Sequence, residues 1–169
     1  MHQKVMGHIL AAGGGIVALA VFAAFLIWYG RSSAPRPMAT VVARAVPFTE
    51  ITRGDISKVT TRVNYLITNE SELDKLWTLV SSSTPKPKID FGSNLLAAVF
   101  AGAQPTTGYA IQVSKIEDAD KRNVVVEIVK PDGGCVPKHA TTTPFQIVQL
   151  PRTSLSFDHQ DAVITKSCR

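Results

Sequence analysis

A chain of 169 residues, 45% of them hydrophobic, with a formal net charge of +5, has room for one ordinary domain and an appendage. The charge excess is local: of eighteen Lys and Arg, Lys4, Arg31, Arg36 and Arg44 fall in the first 44 positions, leaving fourteen to face thirteen acids. A nearly neutral remainder without a basic stripe excludes a nucleic-acid binder, which needs clustered cations to neutralise phosphates.

The chain opens with a short tail, residues 1–8. From Ile9 to Tyr29 no residue is charged, and roughly 20 such residues suffice for a helix to cross a bilayer. The run is longer than the apolar stretch of a cleaved secretory signal, roughly 7 to 15 residues. It ends in Trp28 and Tyr29, side chains suited to a membrane interface. Residues 9–29 are therefore expected to be an uncleaved transmembrane anchor, in which Gly13, Gly14 and Gly15 are tolerated small residues. The flanking arginines mildly favour a cytoplasmic domain by the positive-inside rule. The short leading tail and a cysteine pair able to form a disulfide favour the other side, and a single-pass protein with an extracytoplasmic carboxy-terminal domain is expected. Residues 30–44, with Pro35 and Pro37, read as a semi-rigid linker, and residues 45–169 as one folded domain large enough to bury its own core.

Within that domain "FTEITRG" suits a first short strand. "ISKVTTRVNYLIT" alternates with Val59, Thr61, Val63, Tyr65 and Ile67 on one face, the period of a half-buried strand. Leu73, Leu76, Trp77 and Val80 then recur at helical spacing, behind Asn69 and Glu72 in capping positions. That cap accounts for Asn69, although Asn69-Glu70-Ser71 also fits a glycosylation acceptor. Pro85 and Pro87 keep the helix from continuing. Leu95 to Phe100 form an unbroken apolar run, as in a strand covered on both faces. "GYAIQVSKIE" and "NVVVEIVK" read as a hairpin around "DADKRN", and "FQIVQLPR" and "DAVITKS" as closing strands. The expected fold is mainly β, of the α+β class: an antiparallel, sandwich-like sheet domain with one packed helix, preceded by one transmembrane helix.

Catalytic patterns are missing. Asp90-Phe91-Gly92 matches a kinase tripeptide, but neither a glycine-rich nucleotide loop nor "HRD" accompanies it. Cys135, His139 and His159 are the residue types of a thiol nucleophile with its base, or of a metal site, but their spacing fits neither. A Cys135-dependent enzyme is a minor alternative; no catalytic residue, metal or cofactor is expected. Cys135 and Cys168 are better read as a disulfide between a long loop and the last strand, provided the domain lies outside the cell.

The segments "SELDKLW", "PKPKIDFGSNLLAAVFAG", "QPTTGYAIQVSKIE", "NVVVEIVKPDGGC" and "TTTPFQIVQLPR", in that order, resemble the carboxy-terminal domain of the PrcB family over roughly Val59 to Arg152. The family takes its name from a subunit of a spirochaete surface protease complex. Gly102, Pro105, Thr107, Gly108 and Tyr109 match its glycine-rich turn, Pro131, Gly134 and Cys135 the following loop, and Pro144 the start of the next strand. The resemblance implies a non-enzymatic, mostly sheet binding module whose partner is a protein, a protease among the candidates. The turn Gln104, Pro105, Thr106, Thr107, Gly108, Tyr109 is also similar to the "NPTTGY" loop of chagasin-type inhibitors of papain-like cysteine proteases, with Gln104 in place of Asn and no clear "RPW" loop. This second resemblance implies inhibition through the same loop. Physically, Pro105 restricts one torsion and Gly108 admits a positive one, so the turn is preformed. Thr106 and Thr107 are expected to offer hydroxyls and Tyr109 an amphipathic ring. Nothing in the sequence fixes the oligomeric state.

Overall fold

The computed structural model describes residues 42–80 and 85–167. The anchor expected at 9–29, the linker up to residue 41 and Cys168 lie outside the described residues. Among the described residues no helix is long and apolar enough to cross a membrane.

Eight strands and one helix follow in the order β1 (Arg44–Ala45), β2 (Thr49–Gly54), β3 (Val63–Ile67), α1 (Glu70–Leu79), β4 (Asn94–Phe100), β5 (Ala110–Asp118), β6 (Arg122–Pro131), β7 (Phe145–Pro151) and β8 (Phe157–Lys166) among the described residues. They form two four-stranded sheets, ordered β1-β5-β6-β8 and β2-β7-β4-β3. Period-2 alternation assigns the faces. Leu95, Ala97 and Val99 of β4 and Val148 and Leu150 of β7 meet Ile111, Val113, Ile116, Val124 and Val126 of the opposing sheet. The intervening residues, Leu96, Ala98, Phe100, Phe145 and Ile147, face the other way and are covered by Leu73 and Leu76 of α1. The fold is thus mainly β, with two sheets and one helical layer.

Helix α1 starts where the sequence places it. Asn69 Oδ1 accepts the Glu72 N–H at 3.0 Å, satisfying one orphaned donor of the first turn, and the Glu72 carboxylate reaches back to accept the Thr68 N–H just before the cap at 2.7 Å. The Thr68 N–H holds the Glu72 carboxyl below its usual range. The helix ends as Val80 turns extended and bridges to Ser57.

Two expectations need correction. The strand expected over 56–68 is shorter, because Val59 and Thr61 precede β3 in an irregular segment whose Thr60 carbonyl accepts the Ala103 N–H at 2.9 Å. The second sheet is antiparallel throughout, but β8 runs parallel to β6. Strand β7 ends beside the turn where β6 begins, and the Arg122 N–H donates to Ser156 O at 2.9 Å. A chain crossing over at that end can only continue in the direction of β6.

Two buried polar side chains tie the layers. Strand β5 bulges between Val113 and Lys115. A bulge removes an amide from the ladder, and here the Val113 N–H donates to Gln146 Oε1 of β7, in the other sheet, at 2.6 Å. Gln146 Nε2 in turn donates to Glu50 of β2 at 2.5 Å. The Arg53 guanidinium, bonded to Glu50, holds that carboxyl below its ordinary range, with Gln146 adding to the effect. At the far end Arg122, only 3% exposed, makes a fork with Asp118, both contacts at 2.7 Å. It also donates to Pro151 O and lies 5.8 Å from the centroid of the Phe157 ring.

Strand β8 extends beyond the cover of the second sheet. His159, Asp161 and Val163, on the same face as the core-packed Phe157, remain exposed. A groove of about 220 Å³ separates β8 from β3, lined by Leu66, Val99, Val124, Phe157 and His159. Arg62 crosses to Asp161 at 2.6 Å.

Replacing Gln146 by Leu preserves bulk but strands the buried Val113 N–H. Chemical denaturation is expected to show a loss of about 1–3 kcal/mol, and an unchanged midpoint would refute this bridge. Acid titration tests the other link. The Arg122 fork lowers the Asp118 carboxyl from 3.8, so its contribution is complete above that value and is lost as pH falls through the lower folded value. Asp118→Asn should therefore be less stable at neutral pH and lose stability less steeply in acid than the parent protein.

Candidate functional site

The predicted loop sits at the end of the sandwich where β4, β6 and β8 finish. The segment from Ala101 to Tyr109 connects β4 to β5, and residues 132–144 connect β6 to β7. Composition alone makes both turns, with Gly, Pro and Thr throughout. Their backbones then join. Gln104 N donates to Thr142 O at 2.7 Å, Thr142 N to Gln104 O at 3.1 Å, and Thr107 N to Lys138 O at 3.1 Å. The Thr142 hydroxyl donates to Thr106 O at 3.1 Å, and Gln104 Nε2 returns to Ala101 O at 3.0 Å.

Below them the second loop is pinned to the segment following β2. Thr143 N donates to Asp55 O at 2.8 Å. The Thr143 hydroxyl takes the Ser57 N–H at 2.6 Å and donates to Ser57 O at 2.7 Å. A loop held by this many bonds has surrendered its conformational entropy on folding, so little further ordering is left to be done in any association.

The predicted residues divide between holding the loop and facing out. Thr107 was expected to offer its hydroxyl, but that oxygen accepts the Lys138 N–H at 3.0 Å, so Thr107 holds the loop. Gln104 also holds it. Tyr109 is half-buried just before β5, whereas Pro105 and Gly108 are exposed. Gly108 has φ of +89°, and a Cβ there would lie 3.3 Å from Pro131 Cβ, which ties the turn to the end of β6. Gly102 is more constrained. Its φ is +75°, and a Cβ would stand 2.9 Å from Arg62 N and Thr60 O.

Sequence reasoning did not single out the second loop as a surface. Its Val136 is 97% exposed. A lone apolar residue between "GGC" and "PK" was the available signal. Asp132 closes the loop's first turn by accepting the Cys135 N–H at its carbonyl, 2.9 Å away.

The cysteine and histidine candidates are not assembled into one site. Cys135 is disulfide-bonded, and its Sγ lies 3.9 Å from Lys166 O at the end of β8. His159 is seven residues back along that strand, roughly 23 Å at the rise of an extended chain. His139 is exposed on the loop. Among the described residues no cluster of three or more His, Cys, Asp or Glu could hold a metal ion.

Residues 95–151 match the family model described as PrcB C-terminal. The resemblance to that domain therefore holds over β4 to β7, including both loops of the candidate surface. No curated protein and no protein of known structure gives a significant match. The likeness to chagasin-type inhibitors rests on the turn alone.

The glycine geometry sets an order of sensitivity. Gly102→Ala drives a methyl into backbone in a left-handed conformation, and is expected to cost more than about 2 kcal/mol. Gly108→Ala meets only a side chain and should cost about 1–2 kcal/mol. Equal losses in parallel denaturation curves would contradict this ranking.

Proposed function

We propose that the chain is a membrane-anchored, non-enzymatic protein-binding module. Residues 9–29 form its anchor, and the domain of residues 45–169 stands outside the cytoplasm, where its loop end docks a component of a protease or surface assembly. One observation carries this reading: two loops within the PrcB-like stretch are locked to each other by backbone bonds while Pro105, Gly108 and Val136 are left facing outward. The match to a domain named for a protease-complex subunit supports the choice of partner class. An exposed apolar side chain on a rigid loop supplies the anchor that protein interfaces favour, and the preformed backbone lowers the ordering cost. The chain enters the domain at Arg44, which pairs with Asp118 at the opposite end of β5 from these loops.

The experiment combines two readouts on the full chain. Protease added to intact cells should degrade the domain, and purification from native membranes in mild detergent should recover a defined protein partner. Val136→Asp should weaken that recovery by at least about tenfold while leaving the melting temperature unchanged. A domain protected on intact cells, or recovery indifferent to Val136, defeats the proposal. Active-site-directed inhibition of papain-like enzymes, lost in the Thr107, Gly108 double variant, would replace it with the inhibitor reading.

A further inference from the structure

We infer that β8 is the contact edge of a homodimer, in which two copies pair their β8 strands antiparallel about a two-fold axis at Ala162. Among the described residues β8 pairs with β6 alone, through ten consecutive registered positions without a bulge. Eight of its ten residues are exposed, including Val163 at 58% and Ile164 at 36%, and it contains no proline. An edge of this kind is a template for another strand. The other edges are blunted: β1 has two residues, β3 has five, and the register of β2 breaks between Glu50 and Thr52.

The hydrogen-bonding parity of β8 fixes what can pair with it. Lys166 O accepts the Asp132 N–H, so the even-numbered residues direct their backbone groups toward β6. His159, Asp161, Val163 and Thr165 therefore direct theirs outward. Consistent with this, the His159 N–H takes the carboxylate of its neighbour Asp158 at 2.9 Å. Antiparallel pairing must bring outward residues opposite outward residues, which confines the two-fold axis to a residue position.

Charge then selects the register. With the axis at Asp161, two carboxylates stand directly opposite each other, an unfavourable pair. With the axis at Val163, Asp158 lies opposite position 168, beyond the end of the strand. With the axis at Ala162, Asp158 lies opposite Lys166 at both ends of the ribbon, in non-hydrogen-bonded pairs where side chains approach most closely. The small Ala162 meets itself on the axis, and the hydrogen-bonded pairs are Asp161 with Val163 and His159 with Thr165. In the single chain the Asp158 carboxylate takes the adjacent His159 N–H at 2.9 Å and pairs with Lys121 at 3.3 Å, both side chains of that ion pair more than half exposed, so the ion pair is available for exchange. A second copy is the occupant whose charges this strand complements in its own antiparallel register.

The test uses the full chain in mild detergent. Light scattering should give a dimer. Ala162→Cys should cross-link under mild oxidation, because facing residues in such a pair stand about 4.5 Å apart at Cα, within disulfide range. The parent chain under the same oxidation controls for Cys135 and Cys168. Asp158→Lys and Lys166→Asp should each weaken the dimer about tenfold or more, and the double exchange should restore it. A monomer by light scattering overturns the proposal. So does a dimer that is indifferent to both charge variants and leaves Ala162→Cys uncross-linked, since it would then associate elsewhere. Loss of the loop partner in Val136→Asp with the dimer intact would leave this inference standing.

Discussion

Strands β4 and β7 are buried on both faces, and the rest of the domain is arranged to keep them so. Leu95 to Phe100 form six consecutive buried positions, a pattern impossible in a strand that shows one face to water. One face calls for an opposing sheet and the other for a helix, and the chain supplies both. The aromatic packing follows: Phe100 stacks near Phe145 across the β4–β7 pair, with ring centroids 6.0 Å apart, and Tyr65 meets Phe100 edge-on at 5.7 Å. Burying each such side chain contributes about 1.5–3 kcal/mol, offset largely by the entropy of ordering it.

A core covered this completely leaves no water for stray polar groups, so each irregularity requires a protein partner. The bulge in β5 is answered by Gln146, and the crossing from β7 to β8 by Arg122. Among the described residues no buried side-chain nitrogen or oxygen is left without a hydrogen bond. These links have a directional role that apolar contacts lack. Gln146 fixes one sheet against the other, because its amide oxygen takes the Val113 N–H beside the bulge.

Local signals in the sequence correspond to local structure. The cap at Asn69 and Glu72, the apolar run of β4 and the β5–β6 hairpin each depend on neighbours within a few residues, and all three are legible. What was not legible depends on distant partners. The strand expected from Ile56 stops short at Val63 because Gly102, about forty residues on, packs against the backbone of Thr60 to Arg62. The direction of β8 depends on where β7 leaves the opposite sheet. At the candidate site the residue types were visible, but their division of labour was not. Thr107 looks like a displayed hydroxyl until Lys138, thirty-one residues away, is seen to donate to it. Val136 looks unremarkable until the loop around it is seen to be fixed.

The loop end and the β8 edge follow from the same construction. Because β4 and β7 carry the hydrophobic core, Pro105, Gly108 and Val136 at the loop end and the outer side of β8 stay exposed. They also do not compete. The loops sit beyond the end of β6, near Lys166, whereas the proposed pairing centres on Ala162 and runs along the outer side of β8. Antiparallel pairing turns one copy by half a revolution, so the two loop ends point in opposite directions and both stay open. In such a dimer a partner that is itself multivalent would gain from effective concentration without a new contact, which suits a module whose single loop surface is small.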